Sequence, residues 1–224
     1  LALIHAEDQE MITQEEENHL SAGNSGYESH PENHPNVSET TAMWVIANIV
    51  KDQDCPAYFV HVSTANAREI LEYADKEQLP IFAETCPHYL TLTSDVYTRD
   101  NGENWICSPP IRDEDSVEAL WDLIDDGYIH TVNSDHCGYD TEQKREFRED
   151  FTKIPNGLPG VETRNLVLYS EGVAKGRLTL PEFVRLTSTE VAKMFGIYPQ
   201  KGTIAVGADA DLVVYEPNQK WMLN

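Results

Sequence analysis

Three short apolar runs each end on a residue that could hold a metal ion. Leu1-Ala2-Leu3-Ile4 runs into His5, Ala57-Tyr58-Phe59-Val60 into His61, and His130-Thr131-Val132-Asn133 into Ser134 and Asp135. Two imidazoles and a carboxylate are donors that zinc and similar borderline divalent cations accept. A cation so held lowers the pKa of a bound water and polarises a carbonyl, so the chemistry suggested is hydrolysis. A single histidine after a strand is ordinarily a hydrogen-bonded structural residue. Three candidates at strand ends carry more weight, because the C-terminal ends of parallel strands converge on one face. Spacing alone leaves both readings standing.

The other reactive side chains give weaker signals. Cys137 follows Asp135-His136, but no separate base is evident and a metal-bound water would make a thiolate unnecessary. Ser108, in Cys107-Ser108-Pro109-Pro110, also lacks a base; its backbone could hold a substrate where the proline pair fixes the chain. Arg112 reads as the structural partner of a nearby acid. His88 could line a pocket, with a supporting role expected; His136 could orient groups near Asp135; His130 reads as structural. His19, His30 and His34 fall in polar stretches and read as solvated.

These residues need elements to carry them. The apolar runs 1–4, 57–60, 80–83 and 130–133 suit parallel strands buried on both faces. Helical spacing of apolar residues covers 41–52, 65–77 and 113–126, with Gly127 as a C-cap. Strand and helix in alternation predict an α/β parallel sheet. Further helices are expected at 162–174, 180–188 and 190–195. Between Asp135 and Gly160 runs a long polar stretch, ending in a Pro- and Gly-rich turn that could present backbone groups to a ligand. Residues 201–215 read as two short strands around a Gly-Ala-Asp turn, a separate β unit.

Bulk properties narrow the partners. The chain has 224 residues and a formal charge of -23, which argues against nucleic acid and anionic membranes. The acids are spread along the chain, as a solvated surface requires; adaptation to high salt is the sharper reading. No apolar run is long enough for a membrane span, and the first residues do not read as a signal peptide. Four scattered cysteines, with no CxxC pair, fit reduced thiols in a cytoplasmic protein.

Several blocks in order carry a resemblance: His5-Ala6-Glu7, His61-Val62-Ser63, Glu84-Thr85-Cys86-Pro87-His88-Tyr89-Leu90, Cys107-Ser108-Pro109-Pro110, Ser134-Asp135-His136-Cys137, residues 150–157, residues 169–176 and residues 202–215. In these the chain resembles the cyclic amidohydrolases, most closely the dihydropyrimidinase and D-hydantoinase family. The resemblance implies a (β/α)₈ TIM-type barrel with a small β-sandwich domain. Residues 1–200 would be the C-terminal half of the barrel (strands 5 to 8) with trailing helices, and 201–224 the start of the return to the sandwich.

It further implies two divalent metal ions, zinc by donor type. His5 and His61 would bind the more exposed ion; Asp135 would bind the other and shuttle a proton. Ser108 and Asn156 would hold a small cyclic amide or imide, largely through backbone groups. A homo-oligomer, dimer or tetramer, is implied for the full-length protein. The family's first-strand His-x-His pair, its bridging carboxylated lysine and a substrate-binding tyrosine would all precede Leu1, so this chain alone is expected neither to fold stably nor to hydrolyse hydantoin. His88 stands where dihydropyrimidinases often carry Gln and where allantoinases and dihydroorotases commonly carry His. Residues 23–37 lack the Arg-Pro-Pro of many relatives. Allantoinase or dihydroorotase is therefore the alternative activity, and a non-catalytic dihydropyrimidinase-related scaffold the alternative of another class.

Overall fold

The computed structural model describes residues 1–220. Four parallel strands form one sheet in the order β1 (Ala2–Ile4), β2 (Ala57–Phe59), β3 (Ile81–Thr85), β4 (Thr131–Val132). Register places Ile4 beside Phe59, Phe59 beside Ala83, and Thr85 beside Val132. Sequential parallel pairing requires a crossover at each step. The crossovers are helical: α1 (Gln9–Ser21), α2 (His30–Asn33) and α3 (Asn36–Gln53) lie between β1 and β2. Next, α4 (Ala67–Lys76) links β2 to β3, and α5 (Glu114–Asp125) precedes β4. All four polar strand ends therefore point the same way.

The sequence explains these elements locally. α5 begins where the Asp113 carboxylate accepts from the Ser116 amide at 2.9 Å, and it closes at Gly127, whose φ of +83° suits a residue without Cβ. Its apolar stripe of Val117, Leu120, Trp121 and Ile124 is buried, against a core that includes Phe59, Ile70, Ile106, Ile129 and Val132. Burying such a stripe stabilises the layer by about 1.5–3 kcal/mol per large side chain.

Three expectations need correction. β1 forms, but it is a sheet edge: Leu3 is 56% exposed, where a strand covered on both faces was expected. The helix α1 was missed because its sequence is charge-rich and buries Ile12 alone; the Asp8 cap, accepting from the Met11 amide at 3.0 Å, starts it. Residues 201–220 contain no strand among the described residues. A strand needs a neighbour to take its backbone hydrogen bonds, and these residues find none among the described residues. Val206 and Val214 are exposed, while Tyr215 stacks on Tyr169 at 5.3 Å between ring centres. The last four residues of the expected 201–224 unit lie outside the described residues.

The polar stretch after Asp135 is ordered by its own contacts. A capping box between Asp140 and Gln143 opens α6 (Thr141–Arg145), and His136 Nδ1 accepts from the amides of Gly160 and Val161 at 3.1 and 3.3 Å. The turn-rich segment is thereby pinned beside the end of β4. The expected helix at 162–174 forms as α7 (Arg164–Leu168), continued by a π-helical turn through Val173.

Candidate active site

His5 leaves the end of β1 and His61 lies two residues past β2, so parallel pairing brings their side chains out together. His5 Nδ1 and His61 Nε2 are 2.8 Å apart, with the rings edge to face at 67°. His61 has φ +43° and Asp135 has φ +44°, left-handed conformations that residues with a Cβ seldom adopt. Strain of this kind costs of order 1–3 kcal/mol and persists where the surroundings over-determine the backbone, commonly at functional sites. Here it occurs at two strand ends on one face of the sheet.

The electrostatics link the same residues. Its hydrogen bond to Glu7 is the main cause that raises the His5 pKa, against desolvation. His61 is pushed down, chiefly by burial and then by the charge of His5. The charge of Asp135 acts on both imidazoles, raising each. Among the described residues, however, no group of three or more His, Cys, Asp or Glu converges on one metal position. The two facing nitrogens, one bearing a lone pair toward the other, fit as two ligands of a divalent cation, and the donor chemistry is that of zinc.

Glu7 is the residue that sequence reading passed over. Its carboxylate lies 3.0 Å from His5 Nε2 and accepts from His34 Nδ1 at 2.9 Å. Burial pushes the Glu7 carboxyl up, but its hydrogen bonds with His34 and His5 outweigh that and hold it at about 2. It is therefore an anion that fixes the far nitrogen of His5 and leaves Nδ1 facing His61. The triplet His5-Ala6-Glu7 carried the only sequence signal for this: an acid two residues past a strand-end histidine, on the same side of an extended chain.

His30 and His34, expected to be solvated, are both packed. His30 is 2% exposed and donates from Nε2 to the Cys107 carbonyl at 2.8 Å. Burial, foremost, pushes its pKa down to about 3. The His34 ring lies 4.7 Å from that of His30. His19 is also packed, edge to face with Phe151. The cause is shared: α1 and α2 pack on each other and carry these histidines against the loops that hold Cys107 and Phe151.

Ser108 Oγ donates to Asn156 Oδ1 at 3.1 Å, joining two loops that lie 48 residues apart. A cavity of about 270 Å³ has His5, Glu7, His30, His34, Ser108 and Asn156 in its wall. His61 and Asp135 are outside its lining. A larger cavity, about 500 Å³, is lined by His88, Trp105, Ser134 and Lys144 among others. Size does not rank them, since the strand-end imidazole and the paired loops meet in the smaller one.

The weaker candidates resolve as structure. Arg112 is 7% exposed and reaches Ser63 Oγ at 3.0 Å and Glu39 at 3.3 Å, the expected pairing with an acid. His130 Nδ1 accepts from the Ala83 amide at 3.2 Å. The Cys137 thiol meets the Tyr139 hydroxyl at 3.7 Å, and Ser108 meets an amide; neither contact is with a base.

The chain is similar to known proteins along nearly its whole length. Residues 4–223 match the model of the amidohydrolase family. The chain is 40% identical over 220 residues to a D-hydantoinase of Geobacillus stearothermophilus, covering 97% of this chain and 47% of that protein. It is 37% identical to a D-phenylhydantoinase of Escherichia coli, covering 98% of this chain and 48% of that protein. Among solved structures, a D-hydantoinase (dihydropyrimidinase) from Thermus sp. superposes with a TM-score of 0.92 at 39% identity, over 95% of this chain and 47% of the other. The chain thus spans about half the length of the curated relatives it matches.

Proposed function

Since the chain belongs to the amidohydrolase family, we propose that it forms part of a metal-dependent hydrolase that opens a dihydropyrimidine or hydantoin ring to an N-carbamoyl amino acid. The observation that carries this reading is the 2.8 Å approach of His5 and His61 at adjacent strand ends, within the field of Asp135.

His5, His61 and Asp135 would hold divalent cations, zinc by donor type, in a (β/α)₈ barrel whose strands 5 to 8 are β1 to β4. The remaining ligands would come from the half of the relatives that this chain does not span. A bound cation supplies Lewis acidity and lowers the pKa of its water. Asp135 would accept a proton from the water that attacks the ring carbonyl and would return it to the amide nitrogen as the C–N bond breaks, a base and then an acid. Ser108 and Asn156, joined side chain to side chain, orient the ring between their loops and reduce the entropic share of the barrier. Glu7 keeps His5 turned so that Nδ1, not Nε2, faces the reacting space. Residues 201–224 would return to a β-sandwich domain, and the full-length protein would be a cytoplasmic homo-oligomer, dimer or tetramer.

Turnover of dihydrouracil, hydantoin, allantoin and dihydroorotate by the full-length protein tests the reading. Ring opening of the first two supports it. Preference for allantoin or dihydroorotate would reassign the substrate, and a metal-free protein inert on all four would favour a scaffold. Within the described residues no helix is long and apolar enough to cross a membrane.

A further inference from the structure

Lys144, on α6, is 2% exposed, and among the described residues no carboxylate pairs with it. Its Nζ donates to two backbone carbonyls, Ile106 O at 2.6 Å and Gly157 O at 2.7 Å. Those residues flank the two substrate-facing positions: Ile106 lies two residues before Ser108, and Gly157 directly follows Asn156. The Gly157 amide also donates to Ile106 O, at 3.0 Å. One ammonium thus closes a bracket across the two loops that the Ser108–Asn156 hydrogen bond joins at its open end. We propose that Lys144 is a positioning residue for the substrate cradle, setting the separation and direction of Ser108 and Asn156 by tying the Ile106 and Gly157 carbonyls to one cation. This rests on the ring-opening reading above.

Three further observations fit that role. The joint is close-packed: a Cβ on Gly157, whose φ is +143°, would sit 2.5 Å from Cys137 O, so the second loop lies directly against the backbone that leads into α6. The next carbonyl along the first loop, Cys107 O, is held by His30, so the approach to Ser108 is fixed at consecutive residues. Burial, the leading cause, lowers the Lys144 pKa to about 8. A buried cation without a counter-ion is costly. The two charge-assisted hydrogen bonds are what offset that cost here.

The test uses the full-length protein with Lys144→Met and Lys144→Arg. The methionine keeps the packing and removes every donor; the arginine keeps charge and donors. Removing a charged donor from a binding arrangement corresponds to roughly a tenfold effect or more. For Lys144→Met we expect KM for hydantoin or dihydrouracil to rise about tenfold or more with kcat within about threefold, and Lys144→Arg to recover much of the loss. Amide hydrogen exchange at Cys107, Ser108 and Gly157 should quicken in Lys144→Met at matched fractional stability. Unchanged KM, or kcat and melting temperature falling together without a change in KM, would overturn the proposal. If the wild-type protein opens neither ring, the hydrolase reading fails by itself. Exchange then decides the tie: quickened amides in both loops keep it, and unchanged amides remove it.

Discussion

His5 Nδ1 and His61 Nε2 face one another at 2.8 Å across 56 residues of sequence, and the second ring nitrogen of His61 is buried with no hydrogen-bond partner among the described residues. Two imidazoles cannot both donate across such a contact, so one presents a lone pair. If the pair holds a cation, as proposed, the residues that keep it there are the ones to perturb.

Glu7 is the first. Replacing it with glutamine keeps the shape but removes the charge beside His5 and His34. We expect metal affinity of the full-length protein to fall about 10- to 100-fold, the usual cost of losing a group that orients a metal-binding histidine. A chelator competition titration checks it; wild-type affinity in Glu7→Gln would remove Glu7 from the site.

Gly157→Ala should damage both stability and activity. The left-handed φ of +143° and the 2.5 Å approach of its missing Cβ to Cys137 O leave no room for a methyl group. The expected loss is on the order of 1–3 kcal/mol, read from denaturant midpoints. Activity should fall further than stability, because Asn156 moves with the strained peptide.

Acid should destabilise the protein through two buried imidazoles. Burial foremost brings both His30 and His88 down to about 3. The unfolded chain therefore binds protons that the folded state refuses as pH falls below about 6.5. Stability from these groups is complete above that pH and is lost progressively down to about pH 3, at up to about 1.4 kcal/mol per pH unit for each imidazole. His88→Gln should flatten the slope between pH 6 and 4 by about one proton. An unchanged slope would place His88 in contact with solvent.

The acidic surface makes a separate prediction. With a formal charge of -23 on 224 residues, repulsion among exposed carboxylates should be screened by salt, raising the melting temperature along a KCl series. No rise would assign the charge to solubility alone.

Much of this was legible before any coordinates. Apolar runs ending in His5, His61 and Asp135 announced both the parallel strands and their polar ends, because a short apolar run and an abrupt polar residue leave a strong pattern in sequence, although β1 proved to be an exposed edge. The Asp113 cap and Gly127 stop were equally plain. The helix α1 was not, since a charge-rich helix with one buried side chain has almost no apolar period. With α1 unseen, His30 and His34 looked solvated, and only the triplet His5-Ala6-Glu7 hinted at the anionic Glu7 between His5 and His34. Lys144 was hidden for another reason: a lysine is read as surface, and only tertiary folding supplies the two carbonyls that bury its charge. The strands expected in 201–215 failed because alternation of apolar residues reports a capacity to pair, not the presence of a partner.

The most direct measurement is metal content by mass spectrometry of the full-length protein, purified without chelators, beside His5→Ala, His61→Ala and Asp135→Ala. The proposed site requires bound zinc or a similar divalent ion in the wild type, a marked fall in each variant, and ring-opening activity falling in step. Equal metal content in all four proteins, or wild-type protein that opens a hydantoin ring with no metal bound, would contradict it.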